Sequence, residues 1–416
     1  MTGDDADAPD APGAPTRRDC VKYGGAVVGG GLLAGCTGTT DEAASTPEGN
    51  QTTGAANATG ASNGDDETGE STADTGYTVE MAPMGEVAFD AVPERWMAYF
   101  STYGDMGIAL GQIDGLQGLI YTENWPLAFF DHLPGVDVSF DGVTQFMGDG
   151  GIDKESFYEV DADVHLMDPN FISLLDDTWT DADYEEVATN VGPIVGNVIR
   201  RRGEDWHDYQ YYSLYEAFET IADVFQERER YEALKSVHDG LIADIRSRLP
   251  EAEARPTVGL LSVNSDFENG AFYAYPVNDG NGHKQYRDVE MRGAFDDVIE
   301  GGYAEWDYEQ ILEVDPDALL FQYGFSHVST EEFERRMDAM REDPVGQQLT
   351  AVRNDRLYRG GTSYQGPLIN LFQTEAAAKQ FYPDAFGEWE GIETLADPEA
   401  RLFDHQRVAD IINGDL

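Results

Sequence analysis

His283, Lys284, Arg287 and Arg292 fall within ten residues of one another in the stretch HKQYRDVEMR, in a 416-residue chain with 80 Asp plus Glu against 26 Lys plus Arg. Arg200, Arg201 and Arg202 make a second basic island. Guanidinium groups present a planar fork of donors suited to oxyanions, so either island can meet an anionic ligand; the competing reading is local pairing with the many neighbouring carboxylates. Other chemistries find less support. The seven histidines are scattered at His132, His165, His207, His238, His283, His327 and His405, with no H-x-x-x-H pair to favour a bare zinc or manganese site. The GTSYQG stretch around Ser363 lacks the spacing of a nucleophile elbow. No catalytic residues, no resident metal and no cofactor are expected.

The formal net charge of −54 excludes nucleic acid as a partner, because phosphate backbones need a basic surface. In dilute buffer such charge repels itself and weakens the compact state. At molar salt the screening length falls to ~3 Å and the repulsion largely disappears. The composition therefore reads as that of a protein built for very high salt, with its acid spread along the whole chain.

Both cysteines, Cys20 and Cys36, lie in one glycine-rich apolar run near the N-terminus. Thr16-Arg17-Arg18, the apolar stretch and Leu33-Ala34-Gly35-Cys36 follow the layout of an export signal. The first part resembles a twin-arginine signal. The second resembles a lipobox, which implies cleavage before Cys36 and lipidation of its thiol. Residues 1–36 are thus expected to be a lipoprotein signal peptide, and 37–76 an acidic, disordered tether with too few large apolar side chains to offset its ordering entropy. Two Asn-X-Thr sequons, at Asn50 and Asn57, fall in the tether.

The elements that must position the basic and aromatic residues come from the remaining part. ESFYEVDADVHLM (Glu155 to Met167) and EQILEVDPDALLF (Glu309 to Phe321) share Glu, three residues, Glu-Val-Asp, one residue, Asp and an apolar run. Each copy predicts a short helix, an acidic turn and a buried parallel strand. Around them, RWMAYFS, LQGLIYT and GPIVGN read as strands of a first α/β lobe (77–209), with DMGIALGQ a helix. TVGLLSV, DALLFQYG and DRLYRGG read as strands of a second lobe (251–416), with GAFDDVIEG, TEEFERRMDAM and LINLFQTEAAAKQFY as helices. Between the lobes, apolar residues recur every three or four positions from Tyr211 to Leu249 without proline, which predicts one long amphipathic connecting helix over 210–250. The fold class expected is α/β: two similar three-layer lobes joined by one rigid backbone helix.

With these residues in view, Gly85 to Leu416 resembles the substrate-binding lipoproteins of metal-chelate ABC importers, the class III solute-binding proteins for iron–siderophores, haem or cobalamin. The likeness rests on VAFDAVPERWMAYFSTYGDMGIALG, the two acidic strand entries, and LTAVRNDRLYRGG with FYPDAFG near the C-terminus. The signal and acidic composition resemble haloarchaeal exported lipoproteins. The resemblance implies a non-enzymatic, monomeric protein on the outer face of the cytoplasmic membrane, held by lipid at Cys36. It would capture a ferric siderophore-type chelate between its lobes and deliver it to an ABC permease dimer. Cobalamin or haem is the alternative ligand within the family; a direct zinc or manganese binder and a structural envelope protein are the alternatives outside it.

Ligands of open α/β sheets bind at the carboxyl ends of the strands, and on those loops fall Tyr103, Tyr121, Trp125, Phe272, Tyr273, Tyr323 and Tyr364. Such side chains give a bulky chelate flat faces with polar tips. Arg287 is the cation expected to meet an anionic chelate. By family position, Glu155 and Glu309 are expected to pair with arginines of the two permease halves.

Overall fold

The Glu-Val-Asp-x-Asp repeat folds twice into the same device. In a computed structural model describing residues 76–202 and 206–416, the copies form the helices Lys154–Val160 and Tyr308–Val314, each started by an aspartate, Asp153 or Asp307, whose carboxylate accepts a backbone N–H of the first turn. Each helix stops at an aspartate in the left-handed region, Asp161 (φ 50°) and Asp315 (φ 46°), a conformation that short Asp side chains tolerate better than most. Two residues on, Asp163 accepts from the backbone of Glu94 and Arg95 at 2.9 and 2.8 Å, and Asp317 accepts from Thr257 N at 2.8 Å. Both copies thereby pin the start of the neighbouring strand.

Those neighbours belong to two separate sheets. The first runs Thr144–Gln145, Leu116–Leu119, Trp96–Ala98, Val164–Leu166, all parallel, and a bridge from His165 to Ile194 adds the GPIVGN stretch at its edge. The second runs Ala304–Trp306, Phe272–Tyr275, Thr257–Ser262, Ala318–Gln322, Leu357–Arg359, with Arg292–Gly293 also parallel to Thr257–Val258. The last three strands of that path are parallel and the first two antiparallel. Central strands are apolar on both faces and fully buried, as helix-covered parallel strands must be. An antiparallel hairpin, Tyr77–Met81 with Gly85–Phe89, precedes the first sheet. The signal, the tether, Cys36 and both sequons lie outside the described residues.

The connecting segment differs from its expectation. It is two helices, Leu214–Val224 and Arg228–Arg248, packed against each other. Gln226 takes φ 55°, while Glu227 N bonds Ala222 O (2.9 Å) and Gln226 N bonds Asp223 O (3.3 Å), the paired bonds of a Schellman stop. Phe225 is drawn inward edge-on to Trp96, with ring centroids 5.8 Å apart. No Gly or Pro marks the break, so periodicity alone continues through it. The 21-residue second helix, about 31 Å long at 1.5 Å per residue, is the long element that leads to the second lobe. GAFDDVIEG is also not a helix: residues 294–298 are turns, and the Asp296 carboxylate is committed to Val277 N at 2.8 Å.

A second helix joins the lobes. Pro367–Phe381 is buried on every face because it packs against Ser101–Ala109 of the first lobe, Lys284–Asp288 of the second, and both connecting helices. Of its buried polar residues, Glu375 lies 3.4 Å from the Lys379 ammonium and Gln373 accepts from Thr362 N at 2.6 Å, while Thr374 Oγ1 and both Glu375 oxygens have no hydrogen-bond partner among the described residues. Among the described residues no helix is long and apolar enough to cross a membrane.

Candidate functional site

The carboxyl ends of both sheets meet in one place, and the residues there are aromatic. After Trp96–Ala98 come Tyr99 and Phe100; after Leu357–Arg359 comes the loop carrying Ser363 and Tyr364. Phe100 stacks on Tyr364 with centroids 4.3 Å apart and planes 15° apart. Ser101 Oγ donates to Tyr364 O at 2.5 Å. Tyr121 also stacks on Phe100, at 5.5 Å, and Phe171 meets both Tyr99 and Phe100 edge-on at 5.7 Å.

A guanidinium sits in this cluster. The Arg200 guanidinium lies 4.9 Å from the Tyr364 ring centroid and 5.6 Å from that of Phe171, within cation–π range of a ring from each lobe. Its backbone is clamped from the second lobe: Asn281 N bonds Ile199 O at 2.7 Å and Gly282 N bonds Arg200 O at 2.8 Å. A Cβ on Gly280 would stand 2.2 Å from Arg200 O, so only glycine permits this approach. From the first lobe, Asp168 accepts from Val198 N (2.9 Å) and Tyr209 OH (2.6 Å). Burial holds that carboxyl above its ordinary range, and these hydrogen bonds partly offset the rise. Tyr121, Asn170, Arg200, Arg201, Tyr273 and Tyr275 are partly exposed.

The structure places the expected site residues unevenly. Tyr364 and Tyr121 belong to the junction. Tyr323, at φ 65°, supports it from below, its hydroxyl 2.7 Å from Ser363 Oγ. Tyr273 is partly exposed beside Tyr303, with centroids 5.9 Å apart. Trp125 lies one layer back, its ring pressed where a Cβ on Gly104 would be. Tyr103 is fully buried; its hydroxyl donates to Asn197 O (3.0 Å) and accepts from Asn197 N (2.8 Å), so it orients the segment leading to Arg200. Phe272 is also fully buried, edge-on between Phe267 and Tyr308. Arg287 is spent elsewhere: Nη1 donates to Gly280 O at 2.8 Å and to Asn278 O, and burial lowers its proton affinity. It braces the turn that clamps Arg200.

Phe100 and Phe171 join the junction without being among the aromatics expected there, and the sequence marks Arg200 only as part of a basic island. A signal existed for Phe100, which lies near the carboxyl end of the predicted strand RWMAYFS; none existed for Phe171, in the first turn of a helix. Behind the junction, Gln365 Nε2 donates to Asn281 O (2.6 Å), while Gln373 and Asn370 donate to its Oε1 (2.7 and 3.0 Å). His283 completes the support, accepting from Asn278 N and facing Gln322 Oε1, both at 3.0 Å. Burial lowers its pKa to about 4. Among the described residues no three His, Cys, Asp or Glu side chains stand together as metal ligands.

Glu155 and Glu309 are exposed in the first turns of the two repeat helices. Beside Glu309 is a groove of ≈ 460 Å³ into which Glu268, Asp307, Glu342 and Asp343 also face.

A family model for periplasmic binding proteins matches residues 154–364, just over half of the chain. No curated protein matches the chain by sequence. Among solved structures, a periplasmic binding protein of Veillonella parvula superposes with a TM-score of 0.54 at 14% identity, covering 73% of this chain and 97% of that one. CeuE of Helicobacter pylori, solved with nickel(II) bound, superposes with a TM-score of 0.51 at 10% identity, covering 74% and 90%.

Proposed function

The chain belongs to the periplasmic binding protein family and has its class III solute-binding fold, and we propose that it is the extracytoplasmic binding component of an ABC importer for anionic metal chelates of the ferric-siderophore type. The observation that carries this reading is the pairing of Arg200 with stacked aromatics from both lobes. Such a junction offers flat apolar faces and a well-oriented cation, which suits a bulky, partly apolar anion. The neutral corrinoid of cobalamin would draw on the rings alone. In this reading the lobes span 77–209 and 251–416, the protein acts as a monomer, and Cys36 carries the lipid that holds it outside the membrane after export.

The test is thermal unfolding in molar salt against ferric hydroxamate and catecholate siderophores, haem, cobalamin, zinc and manganese. Only ferric chelates should raise the midpoint, by an amount equivalent to ~2.7 kcal/mol at a hundredfold excess over the dissociation constant. A shift with cobalamin alone would keep the importer and change the cargo; a shift with bare metal, or none at all, would overturn the chelate site.

Permease docking is proposed for Glu155 and Glu309. Their support is their equivalence in the repeat and, at Glu309, the surrounding carboxylates, which suit a basic loop. Single exposed pairs are weak, more so in high salt, but a reversed charge meets like charge on the partner. Glu155→Lys and Glu309→Lys should each cut uptake into proteoliposomes severalfold, and together nearly abolish it, with chelate affinity unchanged. Undiminished uptake in the double variant would remove both residues from docking.

A further inference from the structure

At the amino-terminal edge of the second sheet, opposite the junction, Arg248, Arg255, Arg292 and Arg356 line one groove of ≈ 750 Å³. Four of the chain's 26 Lys plus Arg thus share one concavity in a protein with 80 acidic residues. Several arginines elsewhere sit on carboxylates, Arg228 on Glu219 and Asp223, Arg335 and Arg336 on Glu332, Arg341 on Glu334, Asp338 and Asp355, while Arg287 and Arg359 are taken up by backbone carbonyls. In the groove, Arg248 pairs with Asp244 and Arg255 with Glu290, but among the described residues neither Arg292 nor Arg356 has a carboxylate within ion-pair distance. Arg292 Nη1 donates to Arg255 O at 2.9 Å, and Arg356 Nε reaches only the Tyr358 hydroxyl at 3.4 Å.

Backbone carbonyls aim three of the four. Besides the Arg292 bond, Arg255 Nε donates to Pro250 O at 2.9 Å and Arg248 Nη2 to Ala385 O. Of the lining acids, Asp317 is committed to Thr257, and Glu253 and Asp384 are exposed. Tyr382 forms an apolar wall, its hydroxyl turned to Glu290 O. Held guanidinia lose little freedom on meeting an oxyanion, and a phosphate group presents enough acceptor oxygens for two of them at once.

We propose that this groove is a second binding site, for a small phosphate-bearing anion held by Arg292 and Arg356 with Arg248 and Arg255 flanking it. It is independent of the chelate site. The test is calorimetric titration of inorganic pyrophosphate into the chain in molar sodium chloride. The parent should take up one equivalent saturably, Arg335→Gln should match it, and Arg292→Gln with Arg356→Gln should lose at least ~tenfold in affinity, or 1.4 kcal/mol. The exposed single variant Arg292→Gln should fall between, which guards against misfolding of the double variant. Vesicles of phosphatidylglycerol, with and without pyrophosphate, separate the two sources of such a group: sedimentation with vesicles that pyrophosphate abolishes assigns a lipid headgroup, and pyrophosphate uptake without vesicle binding assigns a soluble anion. No uptake of either probe, or equal uptake by parent and double variant, would overturn the site.

Discussion

Arg200→Gln should weaken binding of an anionic ferric chelate by about 10- to 100-fold. A charge-assisted hydrogen bond contributes about 1.5–3 kcal/mol, and each 1.4 kcal/mol is tenfold. The same substitution removes a guanidinium packed between Tyr364 and Phe171, so part of the loss comes from freed ring surfaces. Arg200→Lys separates the two contributions. It keeps the charge and loses the plane, and should recover only part of the affinity. Arg287→Gln should act more weakly, through the Asn278–Gly280 turn that it braces, and should lower the unfolding midpoint of the unliganded chain more than Arg200→Gln does. Titration by quenching of intrinsic fluorescence reads all three. Unchanged affinity in Arg200→Gln would sink the anionic-chelate assignment, and a larger loss in Arg287→Gln would return the contact to that residue.

The contrast between these arginines shows where the sequence stops being readable. That a basic island stands out in so acidic a chain is visible from composition, but a guanidinium serves a ligand or a backbone carbonyl according to what the fold puts beside it. Residues 278–282 and 199–200 meet only when both lobes are assembled. The repeat was legible for the opposite reason: its N-caps, left-handed aspartates and strand-pinning carboxylates are local, so the pattern Glu-Val-Asp-x-Asp carries them intact. The same rule separates the aromatics. A ring placed after a strand is predictable from the pattern, yet whether it stays partly exposed, as Tyr121 does, or faces the interior, as Tyr103 and Phe272 do, depends on a rotation that loops do not encode. Gln226 extends the point. A left-handed stop closed by backbone bonds leaves no Gly or Pro behind, so two helices read as one.

Asp105 should make the stability of the protein fall as pH rises from about 5 to 8, and Asp105→Asn should remove most of that fall. The side chain is fully buried on Ser101–Ala109, and its Oδ2 accepts from Leu368 N (2.9 Å) and Ile369 N (3.0 Å) at the start of the Pro367–Phe381 helix. It therefore fastens the first lobe to the helix shared by both. Burial pushes its pKa up to about 8, against the partial relief of those two N–H groups. Below the ordinary carboxylate range both folded and unfolded chains hold the proton, and Asp105 costs nothing. Between that range and pH 8 only the folded chain holds it, so folding takes up a proton and stability declines with pH. Above pH 8 the folded state carries a buried charge and the loss is complete, on the order of several kcal/mol at about 1.4 kcal/mol per tenfold difference in proton affinity. Asparagine keeps an oxygen for the two N–H groups and carries no charge, so its denaturant midpoint in molar salt should exceed the parent's at pH 8 and approach it at pH 5. Alanine abandons the N–H groups in a dry site and should be less stable than asparagine at both values. If Asp105→Asn loses as much stability between pH 5 and 8 as the parent, the proton resides elsewhere, and Asp105 fastens the lobes as a carboxylate that the helix N-terminus keeps charged.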